Sequence, residues 1–399
     1  MPKPFIPSMF FFSTIFISCQ EKESLKNLSP VEKDKPNSNN KPAFEGQTRV
    51  MGYKTQTEYQ VDIINTKLGR PWGIAQLPNQ NFLITEKTGS INLVSPDGKY
   101  VTKITGLPKV DSRGQGGLLD IVIDPDFENN QTIYWSFSEP YENGNLTSVG
   151  KGVLSTNKVE NVKIIFRATP SYDGRLHYGS RLAFDKSGNL FVSTGERSDL
   201  ETRPLAQDLK AYLGKIIKID KNGKPAAGNP FIGSNKAQPE IFSYGHRNPQ
   251  GIAIHPETGE LWEAEMGPRG GDEINLIKAG KNYGWPTITY GIEYSGQKIN
   301  NGLTKKDGLE QPIYYWDPVI SPSGITFYTG NIVEWKNNLF IACLSGEKIN
   351  RIILENDKVV GEERLLEDQG ERFRDVFDGK DGNLYAVTDS GKLYRISKK

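Results

Sequence analysis

Thiols and imidazoles are scarce in this chain of 399 residues: it has two cysteines, Cys19 and Cys343, and three histidines, His177, His246 and His255. With no C-x-x-C and no haem-attachment motif, thiolates hold neither an electron carrier nor a metal. Charge of one sign is not in excess either. The 49 basic side chains nearly cancel the 48 acidic ones, so no overall field draws the protein to nucleic acid or to an anionic membrane. Helical periodicity does not persist over about ten or more positions anywhere, which excludes a helical bundle. The N-terminal apolar run, Phe10 to Ile17, is too short to span a bilayer as a permanent helix. What the chain has in quantity is 41 Gly, 24 Pro and 10% aromatic residues, a composition suited to many short strands joined by tight turns. Its partner is expected to be a small molecule.

The N-terminal run fits the apolar core of a secretory signal, with Lys3 before it. Phe16-Ile17-Ser18-Cys19 resembles a bacterial lipobox, which implies that Cys19 is diacylated; a plain signal peptide or a short membrane anchor are the alternatives. Residues 1–19 are therefore read as a lipoprotein-type signal, and the protein as exported, held by lipid on the periplasmic or cell-surface face of a bacterial membrane. Residues 20–48 are dense in Lys, Glu, Asn, Ser and Pro, too polar to bury a core, and read as a disordered tether. Residues 49–399 form the folded domain. With Cys19 acylated no intrachain disulfide is available, and Cys343, inside Leu339-Phe340-Ile341-Ala342-Cys343-Leu344, is a small buried hydrophobe.

One pattern recurs through that domain: a short apolar strand, a turn with Pro, Asp, Asn or Gly, and a second strand opening near Leu-Phe or Leu-Tyr. Its first strands begin at Trp72, Leu119, Leu182, Ile252, Ile325 and Val376. Six copies spaced roughly 46 to 73 residues apart leave room for a four-stranded blade and its loops. The fold is expected to be all-β, a six-bladed β-propeller with four antiparallel strands per blade; a β-sandwich or a pair of β domains is the alternative. The last copy ends at Ile396, so a strand near Tyr59 to Ile64 is expected to close the ring. Function then lies in loops gathered at one mouth of the channel.

Three stretches are too rich in polar side chains to be mere turns: Tyr244-Gly245-His246-Arg247-Asn248-Pro249-Gln250-Gly251, Glu265-Met266-Gly267-Pro268-Arg269-Gly270-Gly271-Asp272-Glu273-Ile274-Asn275, and Asn282-Tyr283-Gly284-Trp285-Pro286. Together they resemble the pyrroloquinoline-quinone-dependent (PQQ-dependent) glucose and aldose sugar dehydrogenases, over about Val61 to Ile396. The resemblance implies PQQ and calcium (Ca2+) as cofactors, an aldose oxidised at C1 to the lactone, and electrons passed to an external acceptor. It places Arg247 and Asn248 on the quinone, and the carbonyls of Gly267 and Pro268 on the catalytic calcium. Hard backbone oxygens can supply such a shell without an acidic side chain. Asp272, Glu273 and the Tyr283 carbonyl resemble a second, structural calcium site, the alternative being a solvated turn.

His177, in Arg175-Leu176-His177-Tyr178-Gly179, matches the general base. The glucose enzymes carry an Asp just before it, where this chain has Leu176. Gln115, in Arg113-Gly114-Gln115-Gly116-Gly117, matches a residue near cofactor and sugar; a strand follows this glycine string, so it is no phosphate loop. Arg197 matches a position facing the sugar, with a surface loop charge as its alternative. Arg372 and Arg374, in Arg372-Phe373-Arg374-Asp375-Val376, match two arginines on the cofactor, and strand alternation puts both on one face. The lysine that the family places after the fifth-blade strand is replaced by Ser345, leaving Lys348 to reach in from the same loop or the cofactor more weakly held. His246 and His255 read as structural. Rival functions are a calcium-dependent lactonase and a non-catalytic propeller that binds a sugar or a protein.

Overall fold

The computed structural model describes residues 29–399; Cys19 and the signal segment lie outside the described residues. Six four-stranded antiparallel sheets stand around a central channel. Blade one comprises β2 to β5 (Pro71–Gln76, Phe82–Glu86, Ser90–Val94, Val101–Ile104), and blade two β6 to β9 (Leu118–Ile123, Thr132–Tyr141, Gly144–Leu154, Val159–Arg167). Blade three holds β10 to β13 (Gly179–Phe184, Leu190–Thr194, Lys215–Ile219, Ile241–Tyr244), and blade four β14 to β17 (Pro249–Ile254, Leu261–Glu265, Asp272–Ile277, Tyr314–Trp316). Blade five holds β18 to β21 (Pro322–Phe327, Leu339–Cys343, Lys348–Glu355, Lys358–Leu365). Blade six joins β22 to β24 (Phe373–Asp378, Leu384–Thr388, Leu393–Lys398) to the N-terminal β1 (Tyr59–Asn65). Ring closure follows from pairing of β1 with β24, Val61 opposite Ile396, as the sequence led us to expect.

The core lies between the blades. Each interface is filled by its own apolar cluster, such as Leu83 and Ile91 against Ile121 and Trp135 between blades one and two. The second strand of five of the blades is buried along its whole length, polar residues such as Thr85, Ser193 and Glu263 included, so burial there does not follow an alternation of apolar and polar positions. Cys343 is a buried free thiol at the end of one of them.

Residues 29–48 depart from the expected tether. They lie along the flank of blades four and five, where Asp317 accepts hydrogen bonds from the backbone N–H groups of Asn37 and Ser38 and from both side chains. Gln47 is fully buried, its amide donating to the Pro312 carbonyl and its oxygen accepting from Tyr290. Polar composition correctly denies this segment a core of its own, but its polar groups find fixed partners on the propeller, and hydrogen bonding supplies the order that apolar burial cannot.

Candidate active site

A cleft of about 530 Å³ opens at one end of the channel, within the range of small-molecule sites. All six blades contribute to it by the same two stations: the approach to the first strand and the residue just after the second. Gln115, His177, Ser321 and Arg372 hold the first station; Lys87, Met266, Leu344 and Asp389 hold the second. This repetition is why residues remote in sequence converge.

His177 precedes β10 with a φ of +47°, a left-handed conformation that costs a side chain with a Cβ and is held here by its neighbours. Its backbone N–H donates to the Gln115 carboxamide at 2.8 Å, fixing the two residues together. Its Nδ1 lies 2.5 Å from a Glu196 carboxylate oxygen. Burial, and next the nearby Arg247 charge, outweigh Glu196 and push the imidazole down to about 4, so the ring is neutral near pH 7. A neutral ring that donates its Nδ1–H as a hydrogen bond to Glu196 keeps Nε2 as the basic atom. Glu196 was not singled out from sequence, although the hairpin register contains it: Gly179 pairs with Thr194, so the residues two before and two after lie opposite each other at the open end of the hairpin.

Arg247 lines the cleft at the turn between β13 and β14, with Nη1 donating to the carbonyls of Met266 and Gly267 at 2.8 and 2.7 Å. Glu265, just before them, accepts from the Arg247 backbone N–H at 2.6 Å and so positions that turn. Gly267 and Pro268 border the cleft, and a side chain on Gly267 would sit 2.2 Å from the Gly271 carbonyl oxygen, so the loop demands glycine there. Arg372 and Arg374 both reach the cleft and share Asp389 at 3.1 and 2.9 Å, confirming their common face.

Four expectations need correcting. Arg197 does not face the cleft: it is 2% exposed and spends its guanidinium on the Leu176, Asn145 and Gly174 carbonyls and the Asn145 side chain, stacked over Tyr178. Asn248 lies behind the cleft wall, its oxygen accepting from the Gly179 N–H and its amide directed at the Met266 sulfur, so it supports the wall rather than lining it. Asp272 accepts from the backbone N–H groups of Gly267, Ile320 and Ser321, which ties it to two loops, and it does not border the pocket that Glu273 and Tyr283 line. Glu273 and Tyr283 do border one small pocket, beside Glu265. Lys348 is buried with its ammonium 3.8 Å from Glu367 and does not line the cleft, whereas Ser345 does. His246, stacked on Tyr283 and bonded to Ser243, and His255, accepting from the Glu257 and Thr258 N–H groups, are structural as read.

The family model for glucose/sorbosone dehydrogenases matches residues 68–395, nearly the whole propeller. The chain belongs to this family. An aldose sugar dehydrogenase of Escherichia coli, YliI, is 42% identical over 345 residues, covering 84% of this chain and 92% of the relative. The crystal structure of the soluble aldose sugar dehydrogenase from E. coli in its apo form superposes with a TM-score of 0.81 at 41% identity, covering 86% of this chain and 100% of that one. The PQQ-bound aldose sugar dehydrogenase of Streptomyces coelicolor matches with a TM-score of 0.71 at 29% identity, over 87% of this chain and 100% of that one. As a glucose/sorbosone dehydrogenase the chain is an oxidoreductase.

Proposed function

We propose that this protein oxidises an aldose at C1 to the lactone with PQQ and calcium, passing the electrons to an external acceptor. The observation that carries this reading is the pairing, in one cleft, of a neutral buried imidazole with an excess of cations. Five of the lining residues are Arg or Lys, against the single carboxylate of Asp389. That charge suits a flat ligand with three carboxylates, and paired arginines grip carboxylates with directional bonds. Calcium takes hard backbone oxygens, and Gly267 and Pro268 line the same cleft, where the Gly267 carbonyl accepts from Arg247. The lactonase alternative needs acidic and amide side chains converging on a central metal, and Asp389 is already committed to two arginines.

The residues divide the work. Arg372, Arg374 and Arg247 would hold the quinone, Gly267 and Pro268 the calcium, and the bound pair would supply a two-electron acceptor polarised by the metal. Gln115 and His177 form the wall that meets the sugar. His177 takes the anomeric hydroxyl proton at Nε2, while Glu196 keeps the ring in the required tautomer and steadies the imidazolium. Arg247 adds positive charge where negative charge builds on the accepting oxygen. We propose further that the protein is exported and anchored through lipid on Cys19.

Purified apoprotein supplied with PQQ and calcium, an aldose panel and an artificial dye tests the reading. Dye reduction that needs both additions, with lactone detected by NMR, is the expected result. Uptake of quinone without turnover of any aldose would leave only the binding-protein alternative.

A further inference from the structure

On the reading that PQQ occupies this cleft, we propose that Lys87, seconded by Arg70, is a cofactor-carboxylate ligand, contributed by blade one in place of the cation that blade five lacks at Ser345. Lys87 follows β3 immediately, the same station that Leu344 and Ser345 hold after β19, so the repeat itself delivers a side chain from this position to the channel mouth.

The surroundings of Lys87 are built to aim it. Its backbone N–H donates to the Arg70 carbonyl at 2.9 Å and its carbonyl accepts from the Leu118 N–H at 3.2 Å. A side chain on Gly117 would fall 2.6 Å from the Lys87 Cγ and 2.3 Å from its carbonyl oxygen, and Gly117 has a φ of +143° besides. The glycine string before β6 thus makes room for this lysine, which gives a sequence feature that is no phosphate loop a structural purpose. The ammonium donates to the Gly114 carbonyl, a neutral acceptor, and has no carboxylate partner among the described residues. An ammonium has three N–H groups, so donors remain for a ligand. Partial burial, and then the charges of Arg70 and Arg374, lower its pKa against the opposing pull of Asp389, so two cations and one anion crowd it. A bound carboxylate relieves that crowding. Lys348, the other candidate, is turned toward Glu367.

The test is fluorescence titration of full-length apoprotein with PQQ and, in parallel, with its uncharged trimethyl ester. Lys87→Met keeps the stem and removes the charge; it should weaken PQQ binding by about tenfold or more and change ester binding by less than about twofold. Lys348→Ala should leave both affinities unaltered. Lys87→Gln serves if the Met variant does not fold, and thermal melting of each apoprotein establishes that it does. Unchanged PQQ affinity, or equal losses for acid and ester, overturns the assignment. Wild-type protein that takes up no PQQ at all overturns instead the function proposed above.

Discussion

Removing the His177 imidazole takes away the one basic atom in the cleft that is neutral near pH 7 and free of a protein partner. His177→Ala or His177→Gln should lower kcat by about a hundredfold or more, the usual contribution of a positioned general base, while PQQ affinity stays unchanged because the cations hold the quinone. Loss confined to the transition state lowers kcat and kcat/KM together. The same change at His255, which receives two backbone N–H groups on a far turn, should leave turnover within a few-fold of the parent. The depressed basicity gives a second signature. A base with its pKa moved down to about 4 loses activity only as pH falls toward that value, so the acid limb of kcat/KM belongs near 4 and not near the ordinary 6.5. A limb near 6.5 would show that the ring is not desolvated as the geometry implies. Glu196 opposes the downward push, so Glu196→Gln should move the limb lower still as well as slow turnover.

At the scale of strands, the ring is stitched at its axis by three buried charges. Arg181 on β10 donates to Asp120 on β6 at 3.1 Å, reaches Asp375 on β22 at 2.9 Å, and gives its Nε to the Gln250 carbonyl on β14. Asp375 in turn accepts from the Ile74 N–H on β2, and Gly324 on β18 has no room for a Cβ, which would meet the Asp375 carboxylate at 1.7 Å. The innermost strands of all six blades meet in this one arrangement. Arg181→Met would strand two buried carboxylates, and should cost about 3–5 kcal/mol of stability in denaturant unfolding. Loss of less than about 1 kcal/mol would mean that the aspartates discharge by protonation instead. The N-terminal strap hangs on one side chain in a comparable way. Asp317→Ala removes the acceptor for Asn37 and Ser38, and limited proteolysis should then cut within residues 29–48 while the propeller stays intact. Protection equal to wild type would show that the rest of the strap suffices.

For the molecule as a whole, the strap lies between the closing strand β1 and Cys19, the residue proposed to carry the lipid. Cys19→Ala should leave uncleaved precursor or release the protein from the membrane fraction; unchanged fractionation, with no lipid mass on the N-terminal peptide, would reject the anchor. Much of the architecture was legible beforehand. Six repeats, their first and second strands and the closing strand follow from local pattern, because a strand's period and a blade's length are properties of contiguous residues. The same local reasoning misjudged residues 29–48, since their partners, Asp317 and Tyr290, lie far along the chain.

The site divides along the same line. Arg247 stands in a segment that announces itself by polar residues between apolar strands, His177, Gln115, Arg372 and Arg374 stand in segments that resemble the family's motifs, and the cleft gathers all five. Arg197, Asn248 and Asp272 carry equally polar motifs, yet side-chain direction is set by packing, and all three are turned to backbone groups behind the wall. Glu196, Lys87 and Asp389 carried no motif, and became functional candidates only when the blades were set around one axis. Sequence by itself thus determined the blade count and the chemistry available at the mouth; which side chains reach the cleft was decided by the tertiary structure, because convergence of six loops is a property of ring closure and of no single segment.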